Sequence, residues 1–399
     1  MPFDPLNLVD EGERLRTSER ARSIKPSPIR KTIDLAESRP DIVGLHTGEP
    51  DFATPGHIVE AGSLALQNGY THYTHGAGIL KLREAISRKL LEDNGIEANP
   101  ETEITVTVGG YAAMFAIIQA TIDPGDEVVI AQPSWPPYSS YVKLADGVPV
   151  HVPLEGPEFE LSRADVEPLL TEKTKMIIVN SPNNPTGSVY SRSCLLDLAE
   201  MAKEHSMYVV SDEVYEKIVF DGNEHFSIAS RSEFKDAAIT VNSFSKTYAM
   251  TGWRIGYVVA NQTTTSEIRK IHDFMVSCAP ACAQKAALEA LSGPQDCVSD
   301  MVEEYGRRRE QIVTGLNEIE GFYCTLPKGT FYAFPNVSKL GIPSAKLAEE
   351  LLGKAAVASI PGDGFGKAGE GYMRFSFASS RQNIQEALTR IKAWRTKHR

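Results

Sequence analysis

Ala238-Ile239-Thr240-Val241-Asn242 runs straight into Ser243-Phe244-Ser245-Lys246-Thr247-Tyr248-Ala249-Met250-Thr251-Gly252-Trp253-Arg254. The first segment is a β-branched apolar run of the kind that fills a strand buried on both faces. The second gathers two serine hydroxyls, an amine and a guanidinium at the end of that strand. The same pattern recurs along the chain: residues 104–108, 127–131, 175–180, 207–212 and 255–259 are short runs rich in Val and Ile, bounded by turn residues. Helical stretches lie between them at 78–94, 110–122, 138–145 and 194–205, the second closed by Asp123-Pro124-Gly125-Asp126. Strand alternating with helix predicts an α/β fold, a mainly parallel sheet covered by helices.

At 399 residues the chain is longer than one ordinary domain of ~150 and is expected to form two. Near Thr263 the pattern changes to long helices, notably 302–319, and 331–334, 356–360 and 373–377 read as strands of a smaller domain. The first forty residues, with Ser23-Ile24-Lys25-Pro26-Ser27-Pro28, read as an arm. A formal charge of -11 repels nucleic acid and anionic membranes, so neither is expected as a partner. With 42% hydrophobic and 23% charged residues the chain has material for a core and no signature of disorder. No apolar run reaches the ~18 residues of a membrane span, and Met1-Pro2-Phe3-Asp4-Pro5 opens no signal peptide, so the expected location is the cytoplasm. Cys194, Cys278, Cys282, Cys297 and Cys324 are odd in number and mostly far apart. Buried free thiols are expected of them, with no disulfide framework and no metal site.

Any one residue of the stretch ending at Arg254 suits a solvated loop, but the set suits a site. Two serine hydroxyls and an arginine fork cradle a phosphate dianion, and a lysine beside them forms a Schiff base where its surroundings lower its pKa. Ser243-x-x-Lys246 also satisfies the S-x-x-K motif of penicillin-binding serine hydrolases. Its companions are missing, since Ser211-Asp212-Glu213 is not S-D-N and Lys246-Thr247-Tyr248 is not K-T-G. Upstream, Asp212 ends a buried strand, the place where open α/β sheets bind ligands. Alone it reads as a helix cap or a charge at the sheet edge. Paired with Tyr215 it can keep a heteroaromatic nitrogen protonated while the phenol bonds a ring oxygen.

Four further segments carry weaker signals. Asn184 sits in a turn dense in Asn and Pro, and most such turns are only turns. Gly109-Gly110-Tyr111 joins a strand to a helix, where free backbone N–H groups hold phosphate. Trp135 follows the next strand as core or as a stacking platform. Arg374 stands in the apolar run Met373-Arg374-Phe375, and its charge needs a carboxylate from the protein or from a ligand. Pro361-Gly362-Asp363-Gly364-Phe365-Gly366-Lys367 lacks the marks of a P-loop or a dinucleotide fingerprint.

In their order, Gly110, Trp135, Asn184, Asp212, Tyr215, Ser243-x-Ser245-Lys246, Arg254 and Arg374 resemble the class I/II pyridoxal-phosphate aminotransferases, the fold-type I family of aspartate aminotransferase. The likeness spans about residues 24–394. It implies a seven-stranded, mainly parallel sheet in a large domain (46–290) that binds pyridoxal 5'-phosphate. It also implies a small α+β domain (291–399) and an N-terminal arm (1–45) that adds to the small domain. The implied catalytic residues are Lys246, which carries the cofactor, Asp212 at the pyridine nitrogen and Tyr215, which shares the ring oxygen with Asn184. Trp135 is implied to stack on the ring, and Gly110, Tyr111, Ser243, Ser245 and Arg254 to hold the phosphate. Arg374, Asn184 and Trp135 are implied to bind the substrate, with Gly48 closing over it.

The resemblance further implies a homodimer with shared sites, in which Tyr73 reaches the neighbouring subunit's phosphate. The implied reaction moves an amino group from an aspartate-family or aromatic L-amino acid to a 2-oxo acid such as 2-oxoglutarate, by ping-pong chemistry. A lyase on the same scaffold is the alternative, and an S-x-x-K serine hydrolase a more distant one. One departure bears on the donor: bacterial aspartate-preferring members often carry lysine just after the Gly-Gly pair, where this chain has Tyr111.

Overall fold

The computed structural model describes residues 17–24, 36, 39–154, 156 and 158–398. Residues 1–16 and the Lys25-Pro26-Ser27-Pro28 part of the arm lie outside the described residues. The short helix Glu19–Ser23 already touches the body through the Arg20–Asp146 ion pair, and β1 (Val43–Gly44) is the first strand among the described residues. A seven-stranded sheet follows, made of β2 (Ile104–Thr107), β3 (Glu127–Gln132), β4 (Val148–Pro153), β5 (Thr174–Asn180), β6 (Tyr208–Asp212), β7 (Ala238–Ser243) and β8 (Gly256–Val259). Its order is β2-β8-β7-β6-β5-β3-β4, and only β8 runs against its neighbours.

Alternation within the strands sets what covers each face. Val128, Ile130, Ile178, Val210, Ile239 and Val241 pack with Ile117 and Ile118 of the helix Gly109–Thr121. Their neighbours Val129, Ile177, Val179 and Val209 point the other way, onto Leu195, Leu198 and Met201 of the helix Arg192–Glu204. Successive strand side chains face opposite sides, and each such Val, Ile or Leu contributes about 1.5–3 kcal/mol on full burial, so both layers are required. Strand β4 is not among the runs expected from the sequence, for a physical reason. It is the sheet edge, its Val148 is 45% exposed, and Pro149 and Pro153 interrupt any apolar run.

The small unit contains β9 (Tyr332–Ala333), β10 (Val357–Ala358), β11 (Ile360–Pro361) and β12 (Met373–Ser376), with β12 between β11 and β9. β1 pairs parallel with β10, which brings Leu45 into the cluster of Ile312 and Leu316 from the helix Asp296–Asn317 and Ile384 and Ile391 from the helix Arg381–Lys397. All five cysteines are free thiols, but the expectation of burial holds only for Cys324. Cys194, Cys282 and Cys297 lie in the first turns of helices and Cys278 just ahead of one, where neighbours do not cover the side chain on all sides. Among the described residues no helix is long and apolar enough to cross a membrane.

Candidate active site

Strand direction gathers the polar residues at one edge of the sheet. β5 and β6 end side by side at the pair Asn180 and Asp212, while Ser243 at the end of β7 pairs with Gly256 at the start of β8. Arg254 lies two residues before Gly256, so an antiparallel strand delivers its guanidinium to the edge where the parallel strands deliver carboxylate and hydroxyls. A cavity of about 750 Å³ opens there. Its lining includes Gly48, Gly110, Tyr111, Trp135, Asn184 and Asp212, and also Tyr215, Ser243, Ser245, Lys246, Arg254 and Arg374. Every residue expected to hold cofactor or substrate except Tyr73 therefore lines one cavity.

Lys246 lies in the short helix Phe244–Thr247, capped by the Ser243 hydroxyl, which accepts from the Ser245 N–H at 3.2 Å. Its Nζ donates to the Gly48 carbonyl at 2.6 Å. Burial pulls the ammonium pKa down to about 8, against the opposing pull of Glu49, so the amine loses its proton far more readily than an exposed lysine. The Ser243 hydroxyl meanwhile donates to Ser245 Oγ at 2.9 Å and lies 3.1 Å from the Ile255 carbonyl. Lys246 makes no bond to it, so the serine-nucleophile arrangement of an S-x-x-K hydrolase is not formed.

Asp212 accepts from the Tyr138 hydroxyl at 2.5 Å and from the Val214 N–H at 3.4 Å. Burial raises its pKa to about 6 despite these two bonds. No helix starts directly after Asp212, so the carboxylate steadies a turn through the Val214 N–H rather than capping a helix, and it lines the cavity. Behind it Glu213 turns away into a closed network, bonded to Ser211, Ser227 and His225, while Lys89 supplies the cation for neighbouring Glu216.

Arg254 has a left-handed backbone, φ 53°, and its Nη1 donates to the Thr251 carbonyl at 2.8 Å. A Cβ on Gly109, itself at φ 72°, would come 2.7 Å from Arg254 Nη2, so only glycine admits the guanidinium beside the helix start. Trp135 meets Tyr111 edge-on at 4.5 Å and Tyr138 at 5.1 Å. Arg374 is buried on β12, donating from Nη1 to Asn184 Oδ1 at 3.1 Å and from Nη2 to the His46 carbonyl at 2.7 Å. Among the described residues its Nε has no partner. The ring of Tyr332 lies beneath it, and the Tyr332 hydroxyl is 2.8 Å from that of Tyr215.

Sequence reasoning missed Tyr138, Tyr332 and His46. All three line the cavity, yet each is an isolated side chain whose role arises only from what folding brings near it. Tyr73 stands outside the lining, 87% exposed. The glycine-rich stretch after Pro361 forms a short turn, Gly362–Phe365, that does not line the cavity.

Among the described residues, Asp212, Arg254 and Arg374 face this cavity without an ionic partner within 4 Å. A buried carboxylate and two guanidinium groups left so are costly unless a ligand completes them. One suits a protonated ring nitrogen, one a phosphate and one a carboxylate, with the amine of Lys246 in the same cavity. Such a set, at the carboxyl edge of this sheet, defines a fold-type I enzyme dependent on pyridoxal phosphate.

Comparison with known proteins narrows the class. The family described as aminotransferase class I and II matches residues 40–391, and the chain belongs to it. Aspartate aminotransferase of Pyrococcus abyssi is 43% identical over 377 residues, covering 94% of this chain and 97% of that one. Aromatic-amino-acid aminotransferase 2 of Thermococcus litoralis is 41% identical over 377 residues, with the same coverage of 94% and 97%. The crystal structure of an aromatic aminotransferase from Pyrococcus horikoshii superposes with a TM-score of 0.88 at 42% identity, covering 92% of this chain and 99% of that one. The protein is a pyridoxal-phosphate-dependent transaminase acting on amino and 2-oxo acids.

Proposed function

We propose that this aminotransferase prefers an aromatic L-amino acid to aspartate as donor and passes the amino group to a 2-oxo acid such as 2-oxoglutarate. The supporting observation is the wall formed by Tyr111 and Trp135, whose rings meet at 4.5 Å inside the cavity. Rings of this kind favour an aromatic side chain by edge and face contact. A second carboxylate needs a cation of its own. The cations that this chain's described residues bring to the cavity are Lys246, Arg254 and Arg374, each with another task. Aspartate is the second reading, favoured by the name of the Pyrococcus abyssi relative.

Bound pyridoxal phosphate supplies a sink for the electron pair left at the substrate Cα when its proton departs. In this reading Lys246 Nζ takes that proton and returns it, a task suited to an amine with pKa about 8. Asp212 keeps the pyridine nitrogen protonated, and Tyr138 holds Asp212 in place. Tyr215 and Asn184 donate to the ring oxygen, and Trp135 lies against the ring. Ser243, Ser245, Arg254 and the backbone of Gly110 and Tyr111 hold the phosphate at the start of the helix Gly109–Thr121. Arg374 takes the α-carboxylate of donor and acceptor in turn, with Gly48 and Asn184 beside it.

The enzyme is a cytoplasmic homodimer in this reading, with domains 46–290 and 291–399 and the segment up to residue 45 joined to the smaller one through β1. Five free thiols suit a reducing compartment. The exposure of Tyr73 and Phe274, 87% and 95%, suits a covering subunit whose site the partner's Tyr73 completes. The test of the donor is a panel of amino acids against 2-oxoglutarate and pyruvate, in the wild type and in Tyr111→Lys. Aromatic donors should have the highest kcat/KM, and Tyr111→Lys should move the ratio toward aspartate by about tenfold, the effect of one charge-assisted bond. Aspartate preferred by the wild type, with the ratio unmoved by Tyr111→Lys, would refute it.

A further inference from the structure

Tyr332 has no part in the roles above, yet it touches both halves of the site. It lies on β9 against β12, with Ser376 paired to Tyr332 and Phe375 to Ala333, so Tyr332 and Arg374 belong to one small sheet. Its side chain is 1% exposed. The Arg374 guanidinium carbon sits 4.5 Å from the centre of its ring. Its hydroxyl is 2.8 Å from the Tyr215 hydroxyl, and the same oxygen would stand 2.7 Å from a Cβ on Gly48.

A phenol has one proton to donate. When Tyr215 donates to an acceptor in the cavity, the proton in the bond between the two tyrosines must come from Tyr332. A hydroxyl that accepts a hydrogen bond becomes a stronger donor, so Tyr332 sharpens Tyr215 as well as orienting it. On its other side, Arg374 is held by two neutral acceptors, Asn184 Oδ1 and the His46 carbonyl, with Nε free. The Tyr332 face at 4.5 Å, the nearer of two rings with Phe365 at 5.0 Å, then helps to fix the plane of the fork, and a desolvated cation over such a face is strongly held.

We infer that Tyr332 is a positioning residue for both subsites: its hydroxyl sets Tyr215 as donor to the cofactor's ring oxygen, and its ring seats Arg374 for the substrate carboxylate. The inference rests on the roles proposed above for Tyr215 and Arg374. Because the two tasks sit on different atoms, two substitutions separate them. Tyr332→Phe keeps the face and removes the hydroxyl, whereas Tyr332→Leu removes both, and Tyr332→Met gives a second ring-free variant of longer reach.

The experiment is a pH titration of the visible band of each holoenzyme, with KM for donor and acceptor measured beside it. In Tyr332→Phe the titration midpoint should move in the same direction as in Tyr215→Phe, by about half a pH unit, while both KM values stay near wild type. In Tyr332→Leu or Tyr332→Met both KM values should rise by about tenfold as well. A midpoint that moves in Tyr215→Phe but not in Tyr332→Phe overturns this inference alone. A midpoint unmoved in Tyr215→Phe overturns the ring-oxygen role too. Equal KM increases in the Phe and Leu variants overturn the role of the ring face.

Discussion

Asp212 offers a test in which the sign of the effect reverses with the cofactor. In the chain alone its carboxyl is buried, bonded to Tyr138 and Val214, and burial raises its pKa to about 6 from the ordinary 3.8. At about 1.36 kcal/mol per pH unit this difference is worth about 3 kcal/mol. A raised folded pKa means stability that is fully present below pH 3.8, where both states hold the proton, and is lost as pH rises toward 6. Above that value the cofactor-free fold carries a buried carboxylate at constant cost. Asp212→Asn keeps the shape and a partner for the Tyr138 hydroxyl but never ionises. Urea unfolding of the cofactor-free proteins, at one protein concentration and pH 4 to 7, should therefore find the variant gaining on the wild type by about 2 kcal/mol across that range, the rest of the difference falling below pH 4. Loaded with pyridoxal phosphate at pH 7, the order should invert under the role proposed for Asp212, because only a carboxylate would pair with a protonated ring nitrogen. A stability difference that stays flat with pH in the cofactor-free proteins would refute the reasoning, as would a loaded variant as stable as the loaded wild type.

Arg374→Ala should raise KM for donor and acceptor alike by about a hundredfold, the cost of a charge-assisted pair to a buried carboxylate, and Arg374→Lys should restore only part of it, since an ammonium cannot reproduce the fork. Steady-state kinetics of the two half-reactions checks this, and a change confined to one half-reaction counts against a shared carboxylate site. For the dimer, Lys246→Ala subunits mixed with Tyr73→Phe subunits under exchange should give hybrids with one doubly defective site and one intact site. Activity of the mixture should exceed that of either parent, and a mixture no more active than the parents would count against a shared site.

The sheet was legible because burial on both faces leaves a plain trace: Ile104 to Thr107 and Tyr208 to Asp212 are strands, and the predicted runs cover them within a residue. The edge strand Val148–Pro153 was not, since an edge needs no apolar pair of faces and tolerates proline. Most helix boundaries shifted by a residue or two, as for Arg192–Glu204 against the expected 194–205, because capping by Ser191 rather than apolar spacing sets the start. The long helix expected at 302–319 begins six residues earlier, as Asp296–Asn317, since its first turns carry little apolar signal.

The legible part of the site has a common physical property. Asp212, Arg254 and Arg374 are charges set at strand ends or in apolar runs, and such a charge announces that something outside the local sequence must answer it. Lys246 stands with them because two hydroxyls and an arginine share its segment. Tyr138, Tyr332 and His46 carry no such announcement. A tyrosine in an apolar strand is ordinary core material, and only the fold reveals that the Tyr332 hydroxyl ends 2.8 Å from Tyr215 while its ring lies under Arg374. Residues proposed to meet the ligand are thus marked by unanswered charge, whereas residues proposed to hold them in place are marked only by distance, which a sequence does not contain. The same distinction predicts where substitutions act: at the charged positions on binding and chemistry together, and at Tyr332 or Tyr138 on the pH response of a partner that remains in place.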